Sequence, residues 1–285
     1  MCVTCGCGDT ANVRIEGEDG QHEHLLADGT RVQHSHQDHD HRHDHEHGHA
    51  HAHVHSHAAH RKDAPVELVV LETALLAKNQ RIAERNRGWF AGRGVLALNL
   101  MSSPGSGKTT LLVRTLQDLA GEIAMAVVEG DQETSADAER IRATGARAVQ
   151  INTGAGCHLE ADMLERAVQQ LALTTGSVLF IENVGNLVCP ALFDLGERAR
   201  VVMLSVTEGD DKPLKYPHMF RSAQLMVTTK MDLAPHVQFD VALAERHARS
   251  VNPTITCLRV SGTTGDGMAD WYGWLRAMWR LEAMA

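Results

Sequence analysis

VLALNLMSSPGSGKTT, residues 95–110, is the stretch whose reading decides the fold. An apolar run of strand length, Val95 to Leu100, passes through a Ser/Pro/Gly turn into an apolar-patterned helix that begins at Gly107. Within it SSPGSGKT, Ser102 to Thr109, approximates the G-x-x-x-x-G-K-[ST] loop. Such a loop wraps phosphates in backbone N–H groups; its lysine reaches the outer phosphates and its last hydroxyl meets magnesium. Gly105, Ser106, Gly107, Lys108, Thr109 and Thr110 are therefore the candidate phosphate-binding residues. Ser102 stands where the first glycine is expected, so the match is incomplete. A plain Gly/Ser connection does not account for a lysine at the start of a helix.

Working outward, short apolar runs alternate with helical patterns. On the N-terminal side, apolar residues at helical spacing from Pro65 to Arg87 predict a leading helix, closed by glycines at 88, 92 and 94. Downstream the pattern predicts a helix to about Leu119, a strand at Ile123–Val128, a helix at Ala136–Ala143 and a strand at Ala148–Ile151. A helix at Glu160–Leu173 and strands at Val178–Ile181, Val201–Val206 and Leu225–Thr228 follow. A helix at Val241–Ala248, a strand at Ile255–Val260 and a last helix from about Gly267 complete the series. This rhythm predicts an α/β fold with an open, mostly parallel sheet flanked by helices; together with the phosphate loop and the base-reading motif described next, the expectation is a P-loop GTPase. Ligands should gather beyond the carboxyl ends of the strands.

Three further motifs fall at those ends. Asp131, after MAVVEGD, and Glu182, closing VLFIEN, can join Thr109 around magnesium, which prefers hard oxygen ligands. Lys108, Thr109, Asp131 and Glu182 are thus the candidate catalytic set. In TTKMD, Asp232 can accept the two N–H donors of guanine, which adenine does not present; Lys230 can lie across the base, with Thr229 beside it. Ser261, Gly262 and Thr263 can place backbone donors near the guanine carbonyl. A K-x-D triplet alone is an ordinary surface sequence; after a phosphate loop it favours GTP/GDP over ATP. GAGCHLE and ENVGNLVCP supply Cys157, His158 and Cys189, either a metal site at a switch or subunit interface, or small side chains of the core.

The first 62 residues have a different composition. Fifteen of nineteen histidines lie between His22 and His60, where few large apolar side chains offset the entropy of ordering a backbone. The expectation is a flexible Cys/His-rich metal-binding region over 1–62 and a globular domain over 63–285. Cys2, Cys5 and Cys7 bring together soft donors suited to Ni²⁺, Zn²⁺ or Cu⁺. His34, His36, His39, His41, His43, His45, His47, His49, His51, His53, His55 and His57 form an auxiliary nickel-binding run, with a charge-tunable solubility tail as the alternative.

Net charge −9 without a basic block offers no track for nucleic acid. No uninterrupted apolar stretch suits a membrane span, and the N-terminus does not read as a secretory signal, so a cytoplasmic address is expected.

Taken together, CVTCGC, the histidine run, SSPGSGKT, EGDQETSADAERI, GAGCHLE, ENVGNLVCP and TKMD resemble the hydrogenase nickel-incorporation GTPase family known as HypB, across essentially the whole chain. The resemblance implies nickel capture by Cys2, Cys5 and Cys7 and a second nickel or zinc site at Cys157, His158 and Cys189. It also implies a GTP-linked homodimer that works with a small nickel-binding accessory protein and the precursor of a nickel-iron hydrogenase large subunit. Thr229 departs from the family's N-K-x-D pattern, and Gly262 replaces a small alanine. A passive nickel store with structural nucleotide and an ATP-dependent metallochaperone are the alternatives.

Overall fold

The structure, a computed structural model, describes residues 23–25, 31–33, 64–131, 135–154 and 156–284. Cys2, Cys5, Cys7 and the histidines from His34 to His57 lie outside the described residues. Ahead of the main domain, β1 (Glu23–Leu25) and β2 (Arg31–Gln33) pair antiparallel. That pairing was not anticipated; Asp28-Gly29, which lies between the strands in sequence, is a dipeptide that favours tight reversal.

The main domain opens with α1 (Ala64–Ala91), then β3 (Leu96–Ser102), α2 (Lys108–Leu119), β4 (Met125–Asp131), α3 (Ala136–Arg142) and β5 (Arg147–Asn152). It continues through α4 (Ala161–Leu171), β6 (Val178–Glu182), β7 (Ala199–Ser205), α5 (Lys212–Lys215) and α6 (Pro217–Ser222). The last elements are β8 (Leu225–Thr229), α7 (Val241–Val251), β9 (Thr256–Arg259) and α8 (Met268–Ala283). Strands β3 to β9 form one sheet in the order β5-β4-β6-β3-β7-β8-β9, and every neighbouring pair is parallel. All seven residues of β3 are buried, as a central strand covered on both faces requires.

Alternation along β3 divides the core. Leu96, Leu98 and Leu100 pack with Leu112 and Leu116 of α2 and with Trp271 and Leu275 of α8. On the other face Val95 and Ala97 meet Leu164 and Ala167 of α4 and Phe90 of α1. Farther along, Val202 and Leu204 of β7 meet Phe220 of α6 and Ala248 of α7. Trp271 is fully buried, and its Nε1–H donates to Thr115 Oγ1 at 2.9 Å, joining α8 to the helix that follows the phosphate loop.

Helix α1 is present, but its packing stripe differs from the apolar pattern that predicted it. Leu75 and Leu76 are exposed, and the buried positions from residue 73 onward are Asn79, Ala83, Asn86 and Phe90. Asn79 Oδ1 accepts from the Ala161 N–H at 2.8 Å, while Asn86 Nδ2 donates to the carbonyls of Ala161 and Leu195. Polar side chains thus dock α1 at the start of α4. Helices α5 and α6 had no signal in the periodicity because each is shorter than two turns; Pro213 and Pro217 mark their starts.

Candidate functional site

At the carboxyl end of β3 the loop Ser103–Gly107 turns into α2, with Gly105 and Gly107 at φ +70° and +95°. Lys108 is the first helical residue, and its Nζ donates to Ser102 Oγ at 2.8 Å. The serine in the place of the loop's first glycine therefore holds the lysine. Burial pushes the Lys108 ammonium below its ordinary range, partly offset by Glu182. Thr109 Oγ1 donates to Glu182 Oε1 at 2.8 Å, uniting the two residues that the sequence reading assigned to magnesium. Asp131 ends β4, and its carbonyl accepts from the Thr153 N–H at 2.9 Å.

The sequence reading missed Glu129. It lies two residues before Asp131 on the same strand face, opposite Glu182 in the β4–β6 register. Burial, reinforced by Glu182 and Asp131, pushes its carboxyl up to about 8; burial raises Glu182 to about 7. Oε2 of each is buried with no hydrogen-bond partner among the described residues. A hard divalent cation beside Thr109 would satisfy such oxygens, so the donors present fit magnesium. Two cations also went unforeseen. Lys212 Nζ is 3.3 Å from Ser103 Oγ, and Arg140 Nη2 is 3.5 Å from Thr110 Oγ1. The first comes from the short helix α5, which left no periodic trace.

The candidate base-reading residues gather at the ends of β8 and β9. Thr229 Oγ1 donates to the Ser106 carbonyl at 2.6 Å, tying TKMD to the phosphate loop, and Lys230 has φ +58°. Asp232 is the second residue of a short 3-10 helix, Met231–His236, and its Oδ1 accepts from Ser261 Oγ at 2.5 Å. The Ser261 N–H donates to the Asp266 carbonyl at 2.8 Å, so the donors left to face a base carbonyl are those of Gly262 and Thr263.

Cys157 and His158 follow β5, and Cys189 begins a 3-10 helix, Cys189–Ala191, after β6. β5 and β6 are not neighbours but flank β4, and the loops meet across its end. Gly130 on β4 permits this, because a Cβ there would stand 2.8 Å from the buried Leu159 side chain. One ligand atom from each of Cys157, His158 and Cys189 lies within 4.8 Å of the others, and the two sulfurs are 2.8 Å apart. His158 stacks on Phe193 at 3.8 Å between ring centroids. Burial lowers its pKa to about 4, so the ring is neutral at pH 7, as a metal ligand must be. Its Nε2 has no hydrogen-bond partner among the described residues; Glu160 Oε1 is 3.9 Å away, and with a neutral ring this is not an ion pair.

Two features connect this corner with the nucleotide corner. A Cβ at Gly185 would lie 2.9 Å from Pro104 Cα, so only glycine lets the segment after Glu182 pass this close to the phosphate loop. Asn183 Oδ1 accepts from the N–H groups of Leu159 and Val184, and its Nδ2 donates to Asn99 Oδ1 on β3. The sequence reading singled out Glu182 in this stretch and overlooked Asn183, a polar residue at the start of a strand-end loop.

The nucleotide-binding domain model described as CobW/HypB/UreG matches residues 96–259, which contain the phosphate loop, both acidic strand ends, the Cys-His-Cys triad and TKMD. The chain belongs to the CobW/HypB/UreG family. Within the family it is 53% identical over 292 residues to a hydrogenase maturation factor HypB of Rhizobium leguminosarum bv. viciae, covering 96% of this chain and 95% of the relative. It is 48% identical over 285 residues to HypB of Escherichia coli K12, covering 96% and 98%. Among solved structures, HypB from Helicobacter pylori in complex with nickel is similar with a TM-score of 0.69 and 40% identity, over 72% of this chain and 97% of that one.

Proposed function

We propose that this chain is a GTP-hydrolysing nickel metallochaperone that assists nickel insertion into the large-subunit precursor of a nickel-iron hydrogenase. The observation that carries the reading is the shared use of one strand end. Glu182 closes β6 against Thr109, and Cys189 follows seven residues later beside Cys157 and His158. Nearly full-length similarity to hydrogenase maturation factors supports the same reading.

In this reading Gly105, Ser106, Gly107, Lys108, Thr109 and Thr110 hold the phosphates, and Thr109, Glu182 and Asp131 hold magnesium. Magnesium, when bound, neutralises charge on the β- and γ-phosphates. Lys108, pinned by Ser102, adds a fixed positive charge where negative charge develops. Thr229, Lys230, Asp232, Ser261, Gly262 and Thr263 select guanine. Loss of the γ-phosphate releases contacts that order the Glu182–Gly185 segment, which leads directly to Cys189. Nickel is the cargo; zinc is a second occupant of the Cys157/His158/Cys189 site. Residues 1–62 act as a metal-binding region, with Cys2, Cys5 and Cys7 as the capture site and the histidines as a reserve, ahead of a GTPase domain of residues 63–285. A homodimer, a small nickel-binding accessory protein and a cytoplasmic setting complete the proposal. No helix of the described residues is long and apolar enough to cross a membrane.

Transfer is the test. Nickel-loaded protein is mixed with the apo-precursor in the presence of GTP, GDP or a non-hydrolysable GTP analogue. Transfer that depends on the nucleotide is expected; identical transfer in all three states rejects a GTP-driven delivery.

A further inference from the structure

The separation of Cys157 and Cys189 is short for a pair that only shares an ion. Two thiolates each 2.3 Å from one metal stand about 3.3 Å apart at a right angle and about 3.8 Å apart at a tetrahedral angle. Their sulfurs are 2.8 Å apart, between those separations and the roughly 2.0 Å of a disulfide. Both cysteines are present as thiols. They are 32 residues apart in sequence, on the loops that follow β5 and β6. Cys157 is half-buried, and Cys189 lies between Val188 and Leu192, which are 46% and 51% exposed, so a small thiol reagent has an approach.

We propose that Cys157 and Cys189 form a reversible disulfide that excludes metal from the triad. This rests on the metal reading above and adds redox control to it. The oxidant is a low-molecular-weight disulfide such as oxidised glutathione. The Cys157 thiolate attacks one sulfur of that disulfide, and one glutathione thiolate leaves. The Cys189 thiolate then attacks the mixed disulfide at the Cys157 sulfur and expels the second. The two protons lost by the cysteines are taken up by the two glutathione thiolates. Two thiols are oxidised and one disulfide is reduced, so the exchange balances. Once joined, the sulfurs have no thiolate to offer a metal, and His158 alone remains of the three ligands. The bond also staples the segment that descends from Glu182 to the loop after β5, fixing the part of the chain that must shift for the nucleotide to influence the triad.

The test uses the full chain carrying Cys2→Ser, Cys5→Ser and Cys7→Ser, which leaves Cys157, Cys189 and Cys257. The protein is equilibrated in glutathione buffers from reduced to oxidised, trapped with an alkylating reagent and mapped by peptide mass. Zinc and nickel affinities are measured in parallel with a competing chelator dye, beside the same chain carrying Cys157→Ser and Cys189→Ser, so that binding by the histidine run is subtracted and the triad's affinity is read as the difference. Oxidised buffer should produce a peptide pair linked through Cys157 and Cys189 and lower metal affinity at least tenfold; dithiothreitol should reverse both. Preloaded zinc should delay the linkage, and Cys157→Ser should leave Cys189 singly glutathionylated. If Cys157 and Cys189 remain alkylatable or are glutathionylated separately in the parent protein, the disulfide is overturned. A linked pair with unchanged metal affinity overturns the exclusion. Reduced protein that binds no metal at the triad overturns the metal reading and the exclusion with it, while peptide mass still reports on the disulfide itself.

Discussion

At the base end of the nucleotide site, Thr229, Asp232 and Ser261 are engaged by one another or by the phosphate loop, although Thr228 Oγ1 is buried with no hydrogen-bond partner among the described residues. Asp232 accepts from Ser261, Thr229 donates to the Ser106 carbonyl, and the Thr264 N–H donates back to Ser261 Oγ. At the phosphate and metal end, Glu129 Oε2, Glu182 Oε2 and His158 Nε2 are buried with no hydrogen-bond partner among the described residues. A buried polar group left in this way costs about 1–3 kcal/mol, so three at one end are not incidental. In the proposed reading the base end is largely shaped before anything binds, and the other end is completed by cations. The difference separates recognition, which needs a fixed geometry, from switching, which needs groups whose partners change.

The largest effect should come from the phosphate end. Lys108→Ala should lower GTP hydrolysis by at least about 100-fold, with far-UV circular dichroism unchanged, in a steady-state phosphate-release assay. Hydrolysis close to that of the parent would remove Lys108 from the site. At the base end, Asp232→Asn should weaken GTP binding about 10- to 100-fold while leaving ATP unchanged. Competition with a fluorescent guanine nucleotide reads this directly. Equal occupancy by ATP and GTP in the parent protein would mean that Asp232 does not select the base.

The comparison can also be sharpened by pH. Glu182 and Glu129 titrate at about 7 and about 8, above the ordinary carboxylate value of 4.5, because burial favours their neutral forms. The folded state therefore holds more protons than the unfolded chain. The stability these groups contribute is full below pH 4.5 and is lost as pH rises through 7 and 8. His158, lowered to about 4, acts on the acid side, where stability falls as pH drops below 6.5. Between pH 6.5 and 8.5, Tm of the nucleotide-free protein should fall. Mg²⁺ with GDP should flatten that slope by stabilising the carboxylates, and Glu129→Gln should reduce it. A slope unaffected by either would contradict the placement of these carboxyls.

A smaller effect is expected at the junction of the two corners. Asn183→Ala leaves the buried Asn99 side chain and the Leu159 N–H short of a partner, a loss of about 1–3 kcal/mol. Thermal unfolding should show a drop of roughly 2–4 °C for each kcal/mol. Nucleotide selectivity should remain, because the base end lies outside this chain of contacts.

These residues also mark what could be read without coordinates. The α/β order, the phosphate loop and TKMD were legible because strand period, helix period and loop chemistry agree locally over residues 95–110 and again around 225–232. Glu129 was hidden by Asp131, the more conspicuous acid at the strand end; only the parallel register with β6 puts Glu129 beside Glu182. Lys212 was hidden because a four-residue helix has no period to detect. Cys157, His158 and Cys189 stood out as residue types, but their meeting depends on β5 and β6 flanking β4 and on the space that Gly130 leaves for Leu159. The stripe of α1 misled for the opposite reason, since two of its buried positions are asparagines.

The central claim is that nucleotide and metal are linked through the segment from Glu182 to Cys189. The most direct measurement is the nickel affinity of the triad in a chain lacking residues 1–62, titrated with GDP and with a non-hydrolysable GTP analogue, beside a Cys157→Ala/Cys189→Ala control. The account predicts different affinities in the two nucleotide states, abolished in the control, and an equal factor by which nickel changes the preference between the two nucleotides, as thermodynamic reciprocity requires. Equal nickel affinities in both states would contradict it.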